Sequence, residues 1–254
     1  MPSAYINKLF FVGLFFLLSV RTVCSQQLNY QNIFGSDWDK ALSFIEQNKS
    51  WIEPKLEQYK VSFPVATAVI FPELVRYSAL RDKIEIGLLK TLYINLGDEY
   101  ANFSIGPFQM KPSFGEMIRE KARGAMGNKA DKLFRRKEDY DDITSFRTSI
   151  VSDLEDSKTQ LNYLIVFIKI CEENFNLRSK TNDEKVLFLS TAYNYGFWKR
   201  ADQIENMINK NYFSTTLLKT TNYSYSDVSL SWYHSYLKGI QKEEHSNQKE
   251  KDMN

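Results

Sequence analysis

The chain is poor in the residue types that usually announce chemistry. Its 254 residues include two cysteines, Cys24 and Cys171. Cys24 falls in a leader expected to be removed, so neither a disulfide framework nor metal-ligand spacing can be built. Cys171 lies on the apolar face of a helical pattern and reads as a small buried hydrophobe. The two histidines are no more helpful. His234 stands beside Trp232 and Tyr233, and His245 lies in a polar tail. Neither accompanies a serine or cysteine in a recognisable nucleophile context, which removes support for a triad. No glycine-rich phosphate loop and no metal motif occurs, so the sequence calls for no cofactor and no metal. Excess charge is missing too. Lys8 and Arg21 are the only charged residues among the first 25. Setting them aside takes Lys+Arg from 33 to 31, against 31 Asp+Glu. A neutral chain without a basic stripe gives no footprint for nucleic acid. Beyond the N-terminus no apolar run is long enough to cross a bilayer; the longest, Leu161 to Ile170, is interrupted by Asn162 and Lys169.

What the sequence does have begins at its start. Lys8 precedes an apolar run from Leu9 to Val20, and Val23 and Ser25 are small enough for the −3 and −1 positions of a cleavage site. Residues 1–25 therefore read as a signal peptide cut before Gln26. The mature chain is expected to be exported to the periplasm or the extracellular space, associated with the cell envelope, with no span left in the membrane. The rival is an anchor that is retained.

Helical periodicity dominates the rest. Ser36-Asp37-Trp38-Asp39 reads as a capped start with Trp38, Ala41, Leu42 and Ile45 behind it, and Ser50-Trp51-Ile52-Glu53 reads as a second start. Pro64 opens a hydrophobic stretch that Pro72 is expected to bend or restart just before Glu73. Ile84, Leu88, Leu92 and Leu96 mark a helix ending at Gly97. Residues 98–115 are irregular, punctuated by Gly106, Pro107, Pro112 and Gly115, with a small hairpin expected near 98–108. The charged stretch 116–139, interrupted by Gly124 and Gly127, is expected to form short helices or a mobile flap. A long helical region follows from Ile143 to Phe175, then a helix from Asp183 to Tyr195 stopped by Gly196, and two more near 201–208 and 228–237. Residues 241–254 read as a disordered charged tail. The expectation is an all-α domain over 30–240, without repeats, and monomeric.

One carboxylate stands out. Glu73 sits in Ile70-Phe71-Pro72-Glu73-Leu74-Val75, flanked by apolar residues. Burial disfavours the charged form and raises a carboxyl pKa. A carboxylic acid that keeps its proton near neutral pH is what glycosidic cleavage needs to protonate a leaving oxygen. Two later segments join it: Ser104-Ile105-Gly106-Pro107-Phe108-Gln109-Met110-Lys111-Pro112 and Ala192-Tyr193-Asn194-Tyr195-Gly196.

Taken in order, the three segments resemble the lysozyme-like superfamily, and in particular the soluble lytic transglycosylase catalytic domain. That family carries a Glu at a helix end, then a Gly-Leu-Met-Gln segment leading to a Pro, then Ala-Tyr-Asn-x-Gly. Glu73 matches the first, Gly106 to Met110 followed by Pro112 loosely matches the second, and Ala192 to Gly196 matches the third in full. The likeness covers residues 65–200. Leu74 stands where the family has Ser, Phe108-Gln109-Met110 replaces Leu-Met-Gln, and Gln109 lies 36 positions after Glu73, so the chain reads as a divergent branch.

The resemblance implies a lysozyme-like helical fold and a partner, the glycan strands of peptidoglycan. It implies Glu73 as the acid that protonates the oxygen between N-acetylmuramic acid and N-acetylglucosamine. The same group, once ionised, would take the proton of the muramic acid 6-hydroxyl as that oxygen closes on C1 to leave a 1,6-anhydro end. Gln109 and Met110 are implied to line the sugar groove, Tyr193 to hydrogen-bond and orient Glu73, Asn194 to contact the glycan, and Ser104 to offer a hydroxyl. Tyr195, Phe197 and Trp198 fit core and groove equally. A hydrolytic lysozyme would need a water activated by a second carboxylate, for which Asp98 and Glu99 are the candidates. A catalytically inactive peptidoglycan-binding protein is the other alternative.

Overall fold

The computed structural model describes residues 28–80, 86–101, 103–215 and 221–252; the signal-peptide expectation lies outside these residues. The fold is all-α. After a short α1 (Tyr30–Phe34) come α2 (Ser36–Gln58), α3 (Phe63–Leu80) and α4 (Ile86–Leu96). An irregular segment leads to α5 (Pro112–Met126), two 3-10 turns (Gly127–Lys132 and Lys137–Asp139), α6 (Ile143–Glu155) and α7 (Ser157–Asn174). Then follow α8 (Asn182–Tyr195), α9 (Ala201–Glu205), strands β1 (Asn211–Phe213) and β2 (Tyr223–Ser224), and α10 (Tyr225–Asp252).

The centre of the molecule is α3. From Val65 to Val75 every residue is buried, because α2, α8 and α10 pack around it. A helix that is apolar on all sides belongs inside a protein rather than on its surface. Burial of this kind overrides the local signal at Pro72. A proline inside a helix removes one hydrogen bond and costs about 3 kcal/mol, yet α3 runs through it unbroken. The Tyr225 hydroxyl, reaching in from α10, donates to the Val69 carbonyl at 2.9 Å beside the turn that Pro72 weakens. Glu73 therefore sits within a helix rather than at the end of one. The second start expected at Ser50 is likewise absent. The buried stripe Ala41, Ile45, Ile52 and Leu56 continues through it, and α2 is one helix containing Pro54.

Several other boundaries differ from expectation for local reasons. The long region 143–175 is two helices, separated at Asp156, whose carboxylate accepts from the Lys158 and Thr159 amides and caps α7. Gly124 does not interrupt α5; Gly127, at φ 57°, ends it. Residues 116–139 are thus the end of a helix and two ordered turns that place Ala130 and Phe134 in the core. The hairpin expected near 98–108 is reduced to one antiparallel bridge between Ile105 and Met110, and the two-stranded ribbon lies instead at β1 and β2. The tail is helical as far as Asp252 rather than disordered. Extending an anchored helix fixes one residue per hydrogen bond and avoids the cost of a new nucleus, so the exposed Lys- and Glu-rich residues follow α10. Cys171 is free and fully buried, as its pattern implied, and no helix among the described residues is long and apolar enough to cross a membrane.

Candidate active site

Glu73 leaves α3 on the side where α8, β1 and α10 meet. Its residue exposure is 3%, which for a carboxylate demands partners. It has two. Arg76, one turn along the same helix, directs Nη1 at both oxygens, 3.1 Å to Oε1 and 2.9 Å to Oε2. Asn194 Nδ2, from the last turn of α8, donates to Oε1 at 3.1 Å. Burial pushes the Glu73 carboxyl above the usual glutamate value of 4.5, against the lowering by Arg76, by the Asn194 hydrogen bond and by the charge of Lys111.

Arg76 carried no signal in the sequence beyond its i,i+3 spacing from Glu73. It is fixed from β1: Nε donates to the Ser214 carbonyl at 3.2 Å, and the guanidinium lies over the Phe213 ring at 4.4 Å. Its side chain is 23% exposed against 4% for Glu73. The pair therefore has a buried acidic half and a partly exposed basic half. The exposed Lys111, at the head of α5, adds a second positive charge that acts on the carboxylate.

The hydrogen bond to Glu73 expected of Tyr193 is made by Asn194 instead. Adjacent helical residues point about 100° apart, so only one of them can face Glu73. It is Asn194 that holds the carboxylate, not Tyr193. The Tyr193 ring packs between Phe114 and Phe167, and its hydroxyl donates to the Phe108 carbonyl at 2.8 Å. Burial and the nearby Glu73 charge hold the Tyr193 phenol well above its usual pKa, so it stays a neutral donor. Burial and Glu73 act in the same way on Tyr225, and on Tyr212, whose pKa is pushed up to about 12.

Tyr193 thereby ties α8 to the loop 104–111. A second clamp comes from α7, where the buried Gln160 accepts from the Phe108 amide at 3.1 Å and donates to the Ile105 carbonyl at 2.7 Å. Gly106, at φ 67°, makes this approach possible, because a Cβ there would lie 2.6 Å from both Gln160 Nε2 and the Leu154 carbonyl. Nothing in the sequence singled out Gln160. At the turn's apex Gln109 is left-handed, at φ 48°, a conformation non-glycine residues avoid and one that tends to cluster at functional positions. Its side-chain amide donates back to the Gly106 carbonyl at 2.9 Å.

Met110 is buried, at 1% exposure, so it supports the loop from beneath instead of lining a groove. Ser104 is half-buried beside the bridge. Asp98 and Glu99 are exposed in the turn after α4, and among the described residues no hydrogen bond or ion pair joins them to Glu73. Of the aromatic trio, Phe197 belongs to the core, packed on Phe114 and Phe167. Tyr195 is half-buried, and Trp198 is 51% exposed, its ring folded against Gly196.

Chemically, the arrangement is a desolvated carboxyl beside a neutral amide donor and an anchored, partly exposed cation. His234, by contrast, contacts Asp183 at 2.8 Å away from this cluster and forms no triad. No protein family, curated protein or solved structure matches this chain.

Proposed function

We propose that the chain is a peptidoglycan lytic transglycosylase of lysozyme-like type, cleaving the β-1,4 bond between N-acetylmuramic acid and N-acetylglucosamine with Glu73 as the acid and then the base. The observation that carries this reading is the buried Glu73 carboxyl held by Asn194, a setting in which burial pushes its pKa upward. Three segments widely separated in sequence, all noted for their residue types, are tied together around it: Glu73 to Asn194, and Tyr193 to the loop carrying Gln109.

Each step follows from the residues present. The protonated Glu73 gives its proton to the glycosidic oxygen as the bond to C1 breaks. The same carboxylate, now charged, is favoured by Asn194 and Arg76. It then recovers a proton from the muramic acid 6-hydroxyl as that oxygen bonds to C1. Proton and electron pairs balance without a water molecule, and the substrate's own acetamido group serves the cation, so no second protein carboxylate is needed. The charges acting on Glu73 are cationic, Arg76 and Lys111, which favours this route over a hydrolytic one relying on Asp98 or Glu99. In this reading Trp198 offers an exposed ring face to a sugar near the end of α8.

One observation favours a second reading. A carboxylate bound by both oxygens to an arginine can be a structural ion pair, and the chain would then bind peptidoglycan without cleaving it. Digestion of purified peptidoglycan by residues 26–254, with fragments read by mass, separates the cases. Anhydro-muropeptides are the expected product. Reducing ends in their place would move the activity to a muramidase, and pull-down by intact wall without any release would leave the binding module.

A further inference from the structure

The charges that act on Glu73 are cations more exposed than the carboxylate itself. Arg76 is partly exposed and Lys111 exposed, whereas Glu73 is buried. Asn194 on α8 donates to Glu73, and the charged or titratable groups close enough to interact with it are Arg76 on α3, Lys111 before α5, Tyr193 on α8, Tyr212 on β1 and Tyr225 on α10. The tyrosines are neutral, so the charges around Glu73 are positive, although the chain as a whole carries almost no net charge.

Arg76 is also built to exchange one carboxylate for another. Its Nε stays on the Ser214 carbonyl and its plane stays on Phe213, so the guanidinium is held in place while only its contact with Glu73 has to change. A planar guanidinium recognises a carboxylate through paired donors. Within the glycan of the proposed reaction, one such group lies on the sugar whose C1 is cleaved: the lactyl carboxylate on O3 of muramic acid. It is free when the stem peptide has been removed and is an uncharged amide when the peptide is attached.

We propose that Arg76 is a specificity-determining residue that binds a carboxylate on the sugar at the cleavage position, so that the enzyme selects peptide-free glycan strands. This rests on the glycan reading above. The carboxylate of the substrate competes with Glu73 for the anchored guanidinium, which weakens the strongest counter-charge on the buried acid. Burial then favours the protonated acid that the first step requires. An anionic substrate thus draws the proton onto its own catalyst, and a neutral glycan leaves Glu73 paired with Arg76.

The test is calorimetric binding of a soluble (N-acetylglucosamine–N-acetylmuramic acid)2 tetrasaccharide with free lactyl carboxylates, against the same compound with those carboxylates amidated. Wild-type protein is expected to favour the acid at least tenfold. Arg76→Gln should bind both alike, Arg76→Lys should keep part of the preference, and Glu73→Gln should bind the acid more tightly than wild type because the internal competitor is gone. Circular dichroism of each variant establishes that it is folded, and Arg76→Lys keeps the charge should Arg76→Gln not fold. Equal affinities in wild type, no binding of either compound, or an acid preference that survives in Arg76→Gln would overturn the proposal. Cleavage that depends on Glu73 but ignores the carboxylate would remove this inference and leave the transglycosylase standing. An Arg76-dependent preference without any cleavage would do the reverse.

Discussion

Two buried charged clusters in this protein have opposite designs. Around Arg119, on α5, all three guanidinium nitrogens are engaged. Nε donates to the Tyr163 hydroxyl at 2.8 Å, Nη1 to the Tyr140 hydroxyl and Ser149 Oγ, and Nη2 to Asp153. The rings of Phe134, Tyr140, Phe146 and Tyr163 surround the guanidinium. Every contact holds α5, α6, α7 and the turns between α5 and α6 to one another, and the arginine side chain is 4% exposed. Around Glu73 the buried partner is the acid, and the base is the partly exposed one. The counter-charges are alike in exposure, 27% for Asp153 and 23% for Arg76, so the difference lies in which charge is buried. A buried arginine keeps its charge and fixes a fold, whereas a buried carboxyl can gain or lose a proton, and that contrast makes Glu73 rather than Arg119 the candidate site.

The contrast is broken most severely from the structural side. Arg119→Met removes the ion-pair partner of Asp153 and a donor to the hydroxyls of the buried Tyr163 and the half-buried Tyr140. Because the Asp153 side chain retains 27% exposure, the expected loss is toward the low end for a buried pair, about 3 kcal/mol, read as a lowered urea midpoint with no change in the products formed. Gln160→Leu comes next. It strands the Phe108 amide and leaves the Ile105 carbonyl with the Met110 amide alone, and an unsatisfied buried backbone group costs about 1–3 kcal/mol. About 2 kcal/mol of stability should be lost, together with glycan release, since the same loop carries Gln109 and anchors Tyr193.

A subtler separation comes from pH. Burial raises the Glu73 pKa in the folded state, so its contribution to stability is fully present below the unfolded glutamate value and is lost as pH rises through the folded value. Wild type should therefore lose stability relative to Glu73→Gln across that rise, in urea titrations between pH 4 and neutrality; parallel curves would mean an unperturbed carboxylate. The smallest effect is expected for Asp98→Asn and Glu99→Gln. Surface replacements of this kind stay within about 0.5 kcal/mol, and product release should be unchanged. A large loss of release in either would restore the hydrolytic route.

What could be read from the sequence follows the same division. Glu73, Tyr193, Asn194 and Gln109 were visible because their residue types and order carry meaning without the fold. The stop at Gly196 was visible because its backbone, at φ 131°, needs a residue without a side chain. Arg76 and Gln160 were not, because an arginine one turn from a glutamate and a glutamine on a hydrophobic helix are common on surfaces. Only the packing of β1 on Arg76 and of the 104–111 loop on Gln160 gives them work. Pro72 misled for a related reason: its local cost is real, but α3 is buried on every side, and tertiary packing outweighed it. That Asn194 rather than Tyr193 holds Glu73 turned on helix phase, which a five-residue match does not specify.

The central claim is that Glu73 acts chemically and is not merely a paired charge in the core. Glu73→Gln keeps the shape and a polar partner for Asn194 and Arg76, and it removes the transferable proton. The decisive measurement is muropeptide release by this variant and by wild type, with the unfolding midpoint of each taken in parallel. The account predicts that release falls by about 100-fold or more, as loss of an acid–base group implies, while the variant remains folded with a comparable midpoint. Release that persists in folded Glu73→Gln, or that is absent from wild type, would contradict it.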